Sequence, residues 1–135
     1  MRVLLATDGS LQSLKAADWV WRLHNLYPDL HVIVLCVVPR PGLWRDGEYL
    51  EESLERWAQA AVEQTVNQLE LPPEQVTRTI LAGVPADVIC RHAREERCDL
   101  IAMGATGAGL LVEILLGSTT HRVLELAPVP VLVTR

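Results

Sequence analysis

Apolar and polar positions along this chain alternate between two periods, and the switches between them predict its elements. Arg2 to Thr7 is a short β-branched and leucine-rich run closed by Asp8-Gly9-Ser10, a turn and helix N-cap signal, so a buried strand feeds a helix. From Leu11 to Leu26 the positions Leu14, Ala17, Val20, Trp21 and Leu23 recur at helical spacing, with Lys15, Asp18 and Arg22 between them. That helix stops before Tyr27-Pro28-Asp29. Val32 to Val38 is uninterrupted and apolar, closed by Pro39, which predicts a strand covered on both faces near the middle of a parallel sheet.

Pro39 to Gly47 reads as a surface loop. Glu48 to Leu69 predicts a long helix with Leu50, Leu54, Trp57, Ala61 and Val66 on its core face, ended by Pro72-Pro73. A third strand is expected over Gln75 to Leu81. A helix then opens at Gly83-Val84-Pro85, with Val88, Ile89, His92 and Ala93 on one face. Asp99 to Met103 is the fourth strand; a helix from about Thr119 to Leu126 and a strand over Val129 to Thr134 complete the pattern. Strands alternating with helices predict an α/β fold with a mainly parallel sheet and right-handed crossovers. Ligands of such sheets sit beyond the carboxyl ends of the strands at a topological switch point, which directs attention to the residues after strands one and four.

Composition narrows the function classes. A length of 135 residues predicts one domain over 1–135, and no apolar run is long enough to cross a bilayer. Asp8 follows the first strand directly, leaving no room for a signal peptide, so a soluble cytoplasmic protein is expected. Cys36, Cys90 and Cys98 lie in patterned segments without C-x-x-C spacing and read as packed thiols. Seventeen acidic against twelve basic residues, with no Lys/Arg cluster, argue against a nucleic-acid partner. His24, His31, His92 and His121 form no pair with zinc-ligand spacing.

An anionic ligand must then be held locally, and the segment after strand four offers the means. It reads Met103-Gly104-Ala105-Thr106-Gly107-Ala108-Gly109-Leu110, and after Leu111 to Leu116 comes Gly117-Ser118-Thr119-Thr120. Gly104 and Gly107 can bring bare backbone N–H groups to a phosphate chain where a Cβ would obstruct. Gly117, Ser118 and Thr119 open a helix whose first N–H groups and dipole favour an anion. The segment lacks the lysine of a P-loop, and a dinucleotide fingerprint would normally follow the first strand, where Asp8-Gly9-Ser10 stands instead.

The spacing Gly104-x2-Gly107-x9-Gly117-Ser118 resembles the G-x2-G-x9-G-[ST] nucleotide motif of the ATP-binding universal stress proteins. Val3 to Ser10 is similar to that family's opening strand and aspartate, Gly83-Val84-Pro85 to its turn before the third helix, and Pro128 to Val133 to its closing strand. The resemblance spans nearly the whole chain and implies an open doubly wound five-stranded parallel sheet of order 3-2-1-4-5, adenine nucleotide alpha hydrolase-like and Rossmann-like. It further implies ATP across the ends of strands one, two and four, with Mg²⁺ or Mn²⁺ on the phosphates. Ala6, Thr7 and Asp8 would line the ribose and phosphate side, and the Val37 backbone would meet the adenine. Met103, Gly104, Ala105, Thr106, Gly107, Ala108, Gly109, Gly117, Ser118 and Thr119 would hold the ribose and phosphates. Asp8 has a second reading as a helix N-cap. Many relatives place a basic residue beside the second glycine, where this chain has Ala105, Thr106 and Ala108, so charge compensation rests on backbone N–H groups, the helix dipole and the cation.

The function expected from these residues is a nucleotide-dependent regulatory or stress-response module with no catalytic residue and at most weak ATP hydrolysis. Two alternatives stand beside it: a slow ATPase, and a nucleotide-free dimeric interaction protein. A homodimer through the apolar Val129 to Thr134 strand is expected in either case, unless Arg135 caps that edge.

Overall fold

The computed structural model describes residues 1–40, 47–105 and 116–135, the side chains of 47–51 excepted. Five strands form one sheet: β1 (Arg2–Ala6), β2 (His31–Val38), β3 (Val76–Ala82), β4 (Leu100–Gly104) and β5 (Val131–Thr134). Their order is β3-β2-β1-β4-β5, and every neighbouring pair is parallel. The helices are α1 (Leu11–Leu26), α2 (Gly47–Leu69), α3 (Pro85–Glu95) and α4 (Ser118–Leu126). The fold class is the one the pattern of elements predicts, and the strand order is the one the family resemblance implies.

Period-two alternation divides the central strands between two cores. Val3 and Leu5 of β1 with Val32, Val34 and Cys36 of β2 pack beneath α1 and α2. Leu4 and Ala6 with Ile33 and Leu35 face α3 and α4. Both faces are therefore apolar, which is why β2 reads as a continuous hydrophobic run. The crossovers α1 and α2 lie on one face and α3 on the other, so the winding reverses between β1 and β4 and the switch point opens at their carboxyl ends.

The structure revises several boundaries. Gln75 belongs to a 3₁₀ turn rather than β3, where its side-chain amide donates to the carbonyls of Pro28 and Leu30 at 2.8 Å each. Asp99 stands before β4, its carboxylate accepting the Arg2 N–H at 2.8 Å. Val129 and Pro130 precede β5, although the Pro130 carbonyl already accepts from Ile101 N–H at 3.0 Å.

The inner face of α1 also differs from the periodic reading. Its buried positions are Ser13, Ala16, Ala17 and Val20, whereas Trp21 is 41% exposed. At its N-terminal end α1 approaches the sheet closely: a Cβ on Gly104 would lie 2.7 Å from Gln12 Cβ and 3.0 Å from Ser13 N, so a small residue such as Ser13 fits there. On α2 the buried stripe is Ala58, Ala61, Val62, Thr65 and Leu69, and Trp57 lies at its edge, 40% exposed. The assignment of Trp57 to the core is thus overturned. Trp44 and the Pro41–Asp46 part of the expected loop lie outside the described residues, as does the side chain of Leu50.

All three cysteines are buried and free, as their patterned positions predict. Burial, then the negative charge of Asp8, pushes the Cys36 thiol up to about 12. Burial also raises Cys90 and Cys98. Among the described residues no helix is long and apolar enough to cross a membrane.

Candidate functional site

The loop after β1 is held by short polar side chains. Asp8 Oδ1 accepts the Ser10 N–H at 2.9 Å, closing an Asx-type turn. Ser10 Oγ accepts the Ser13 N–H at 3.3 Å, which makes Ser10 the N-cap of α1. The N-cap reading of Asp8 is therefore excluded, and its carboxylate lines a cavity. Gly9 occupies the left-handed region, with φ at +78°, and a Cβ there would come within 3.3 Å of Ala61 Cβ on α2.

Thr7 ties this loop to α2 from beneath. Thr65 Oγ1 donates to the Ala61 carbonyl at 2.8 Å, so its oxygen accepts the Thr7 hydroxyl at 2.7 Å. Thr7 Oγ1 in turn accepts the Gly9 N–H at 3.1 Å and lies 3.1 Å from Ser13 Oγ. Every buried side-chain polar atom among the described residues has a partner, so this network is fully satisfied and fixes the loop against the helix.

The opposite wall is apolar. Ala6, Leu35, Val37 and Met103 from three adjacent strand ends meet Pro85 and Ile89 of α3. Pro85 stands at the first position of that helix, where its missing N–H costs nothing.

The third wall comes from β4 and α4. Gly104, Gly117, Ser118, Thr119 and Thr120 line it. Gly117 is the N-cap of α4 and supplies no side-chain cap, so the N–H groups of the first turn are left to solvent or a ligand. Backbone ties hold this corner. Gly117 N–H donates to the Ala105 carbonyl at 2.8 Å, Ala105 N–H to the Thr134 carbonyl at 2.6 Å, and Thr120 Oγ1 to the Gly104 carbonyl at 2.8 Å.

These walls enclose a cavity of about 280 Å³ at the switch point. That lies near the lower end of the roughly 300–1,000 Å³ of small-molecule sites. It brings together Ala6, Thr7, Asp8, Val37, Met103, Gly104, Gly117, Ser118 and Thr119 of the expected set. Ala105 is buried beside the cavity without lining it, serving the backbone ties instead. Thr106, Gly107, Ala108 and Gly109 lie outside the described residues.

Sequence reasoning missed Ser10, Ser13, Leu35, Trp57, Pro85, Ile89 and Thr120. Period two could have found Leu35, which shares a face with Val37. Trp57 carried no signal separating a cavity wall from a core face. Among the described lining residues Asp8 is the one charged side chain. His121 and Arg122 do not line the cavity, and Glu125 engages both on the exposed side of α4, at 3.2 and 3.1 Å. Arg45 lies outside the described residues.

Sheet order and cavity together define a Rossmann-like α/β protein with a cavity at the switch point. Residues 1–135 match the model of the universal stress protein family, and the chain belongs to that family. It is 35% identical to the universal stress protein MJ0531 of Methanocaldococcus jannaschii, over 99% of this chain and 81% of that protein. It superposes on the solved structure of protein MJ0577 of the same organism with a TM-score of 0.85 and 30% identity, over 98% of this chain and 94% of the other. The fold also matches that of a universal stress protein from Archaeoglobus fulgidus solved in complex with dAMP, with a TM-score of 0.78 and 19% identity over 100% and 98% of the two chains.

Proposed function

We propose that this protein binds ATP in the switch-point cavity and acts as a nucleotide-dependent regulatory module. The observation that carries the reading is the division of one cavity into an apolar wall suited to a base and a wall of helix N–H and hydroxyl donors suited to phosphates. The adenine would lie against Leu35, Val37, Met103 and Ile89, and the phosphates toward Gly104 and Gly117 to Thr119. The A. fulgidus protein with dAMP lends support, because an adenine nucleotide is accommodated within the same architecture.

The residues fit a metal-bound nucleotide better than a free one. Asp8 places a carboxylate on the same cavity as the proposed phosphate seat, and Mg²⁺ or Mn²⁺ carried by the nucleotide would offset the added negative charge. No cluster of three metal-ligating side chains exists among the described residues, so the cation would arrive with the phosphates. When bound, it neutralises phosphate charge. The protein's own part is to seat the base, orient the ribose beside Asp8 and donate from the first turn of α4.

The test is mass spectrometry of ligand released from protein purified without added nucleotide, followed by calorimetry with Mg-ATP. Binding that requires the divalent cation is expected. No binding to Mg-ATP, AMP or adenosine would overturn the proposal. Phosphate release at saturating Mg-ATP is expected to stay far below about one per second, since efficient phosphoryl transfer needs positive groups on the γ-phosphate and an oriented nucleophile. Arg40 and Arg45, which follow β2 in the sequence, could supply such charge and His121 could orient a water, so turnover near that rate, lost in Arg40→Ala, Arg45→Ala or His121→Ala, would favour the ATPase reading.

The second element of the proposal is a homodimer through β5, an edge strand hydrogen-bonded on one side to β4. Val131, Leu132 and Val133 are only partly buried, which leaves apolar surface for a second copy to cover. Sedimentation at micromolar concentration is expected to give a dimer; a monomer there would exclude this interface.

A further inference from the structure

From the geometry of α2 we infer that Trp57 is a base-stacking residue of the nucleotide site and sets much of its affinity. The inference rests on the nucleotide-binding reading above and adds a residue to it. Trp57, Ala61 and Thr65 are spaced four residues apart and so stand on one side of α2. Two of the three are anchored to the loop after β1. Thr65 is hydrogen-bonded to Thr7 at 2.7 Å, and Ala61 Cβ stands 3.3 Å from where a Gly9 Cβ would be. One turn further toward the N-terminus, the same side of the helix reaches the cavity, and Trp57 lines it while 40% exposed.

Its place among the walls selects the part of the nucleotide it meets. α2 packs over β2 and β3 and against α1, on the sheet face opposite α3, so Trp57 joins the lining of the cavity from the β2 side, across the sheet's edge from Pro85 and Ile89. The donors of α4 follow β4 on the far side of β1. A planar base at the β2 end of the cavity would meet the indole, whereas phosphates seated on the first turn of α4 would lie toward the opposite end. Trp57 is the one aromatic side chain among the described lining residues. An indole that lines a cavity and keeps 40% of its surface exposed has area left for a ligand to cover, and stacking on an aromatic ring is sequence-tolerant and substantial for any base.

The test compares ATP, AMP and adenosine binding to wild type, Trp57→Ala and Trp57→Phe by calorimetry. The lost contact is with the base, common to all three ligands, so Trp57→Ala should weaken each by a similar factor of about ten. Trp57→Phe keeps a ring and should stay within a few fold of wild type. Tryptophan fluorescence gives an independent readout when both proteins also carry Trp44→Phe, since the remaining Trp19 and Trp21 are on α1 and do not line the cavity. In that background AMP should change the emission of the protein that keeps Trp57 and leave that of Trp57→Phe nearly unaltered. Unchanged affinity in folded Trp57→Ala, weakening confined to ATP, or a full emission change in Trp57→Phe would each overturn the assignment while nucleotide binding stood. A wild type that binds none of the three ligands would overturn both.

Discussion

Gly117→Val is expected to abolish Mg-ATP binding while leaving the protein folded. Gly117 sits at φ −62° and ψ 155°, an extended conformation open to any L-residue, so a valine there meets no backbone strain. As the N-cap of α4 it contributes no side-chain hydrogen bond, and the loss of helix stability on replacement should be at most about 1 kcal/mol. Its place in the cavity wall decides the outcome. A branched side chain would project where phosphate must approach the N–H groups of Ser118 and Thr119, displacing the ligand from its donors. Calorimetry should detect no binding at ligand concentrations about a hundredfold above the wild-type Kd, alongside a wild-type circular dichroism spectrum. Wild-type-like affinity in a folded variant would remove Gly117 from the site.

Gly104→Ala should have the opposite profile, with its main effect on stability. The added Cβ would fall 2.7 Å from Gln12 Cβ and 3.0 Å from both Gln12 C and Ser13 N. Two of those three atoms are backbone, so no rotamer change relieves the contact and α1 must move. Overpacking of this kind costs about 1–3 kcal/mol, and the backbone contacts place this case toward the upper end. The strand end cannot move away easily, because the Gly104 carbonyl accepts Thr120 Oγ1 at 2.8 Å and Ala105 N–H is tied to Thr134. Urea denaturation should show a lower midpoint with an unchanged slope. A midpoint equal to wild type would mean that α1 yields at no cost. With both outcomes, the two motif glycines would separate into one that keeps space for a ligand and one that keeps space for a helix.

Much of the site was legible because the chemistry of a switch point lies in contiguous segments. Thr7-Asp8 follows a strand that announces itself by β-branching, and Gly117-Ser118-Thr119 opens a helix with an N-terminal signal. Misreadings arose where a residue type fits two environments. Trp21 and Trp57 raise the apolar periodicity of their helices, yet one is on the surface and the other at the cavity. Asp8 and Ser10 are both good caps, and the choice of Ser10 depended on which side chain the turn aimed at Ser13 N–H.

Taken by itself, the sequence determined the α/β class, the interior place of β2 beside the central β1, the burial of the three cysteines and the two segments that approach each other at the cavity. These follow from local periodicity, turn chemistry and runs of apolar residues, which act within a few positions of the chain. Only the tertiary structure decided which face of α1 meets the sheet, that Gly104 is demanded by Gln12 and Ser13, that Thr65 holds Thr7, and that Trp57 stands at the cavity. Each of these is a contact between elements, set by how closely backbones approach and which polar atoms must find partners once water is excluded.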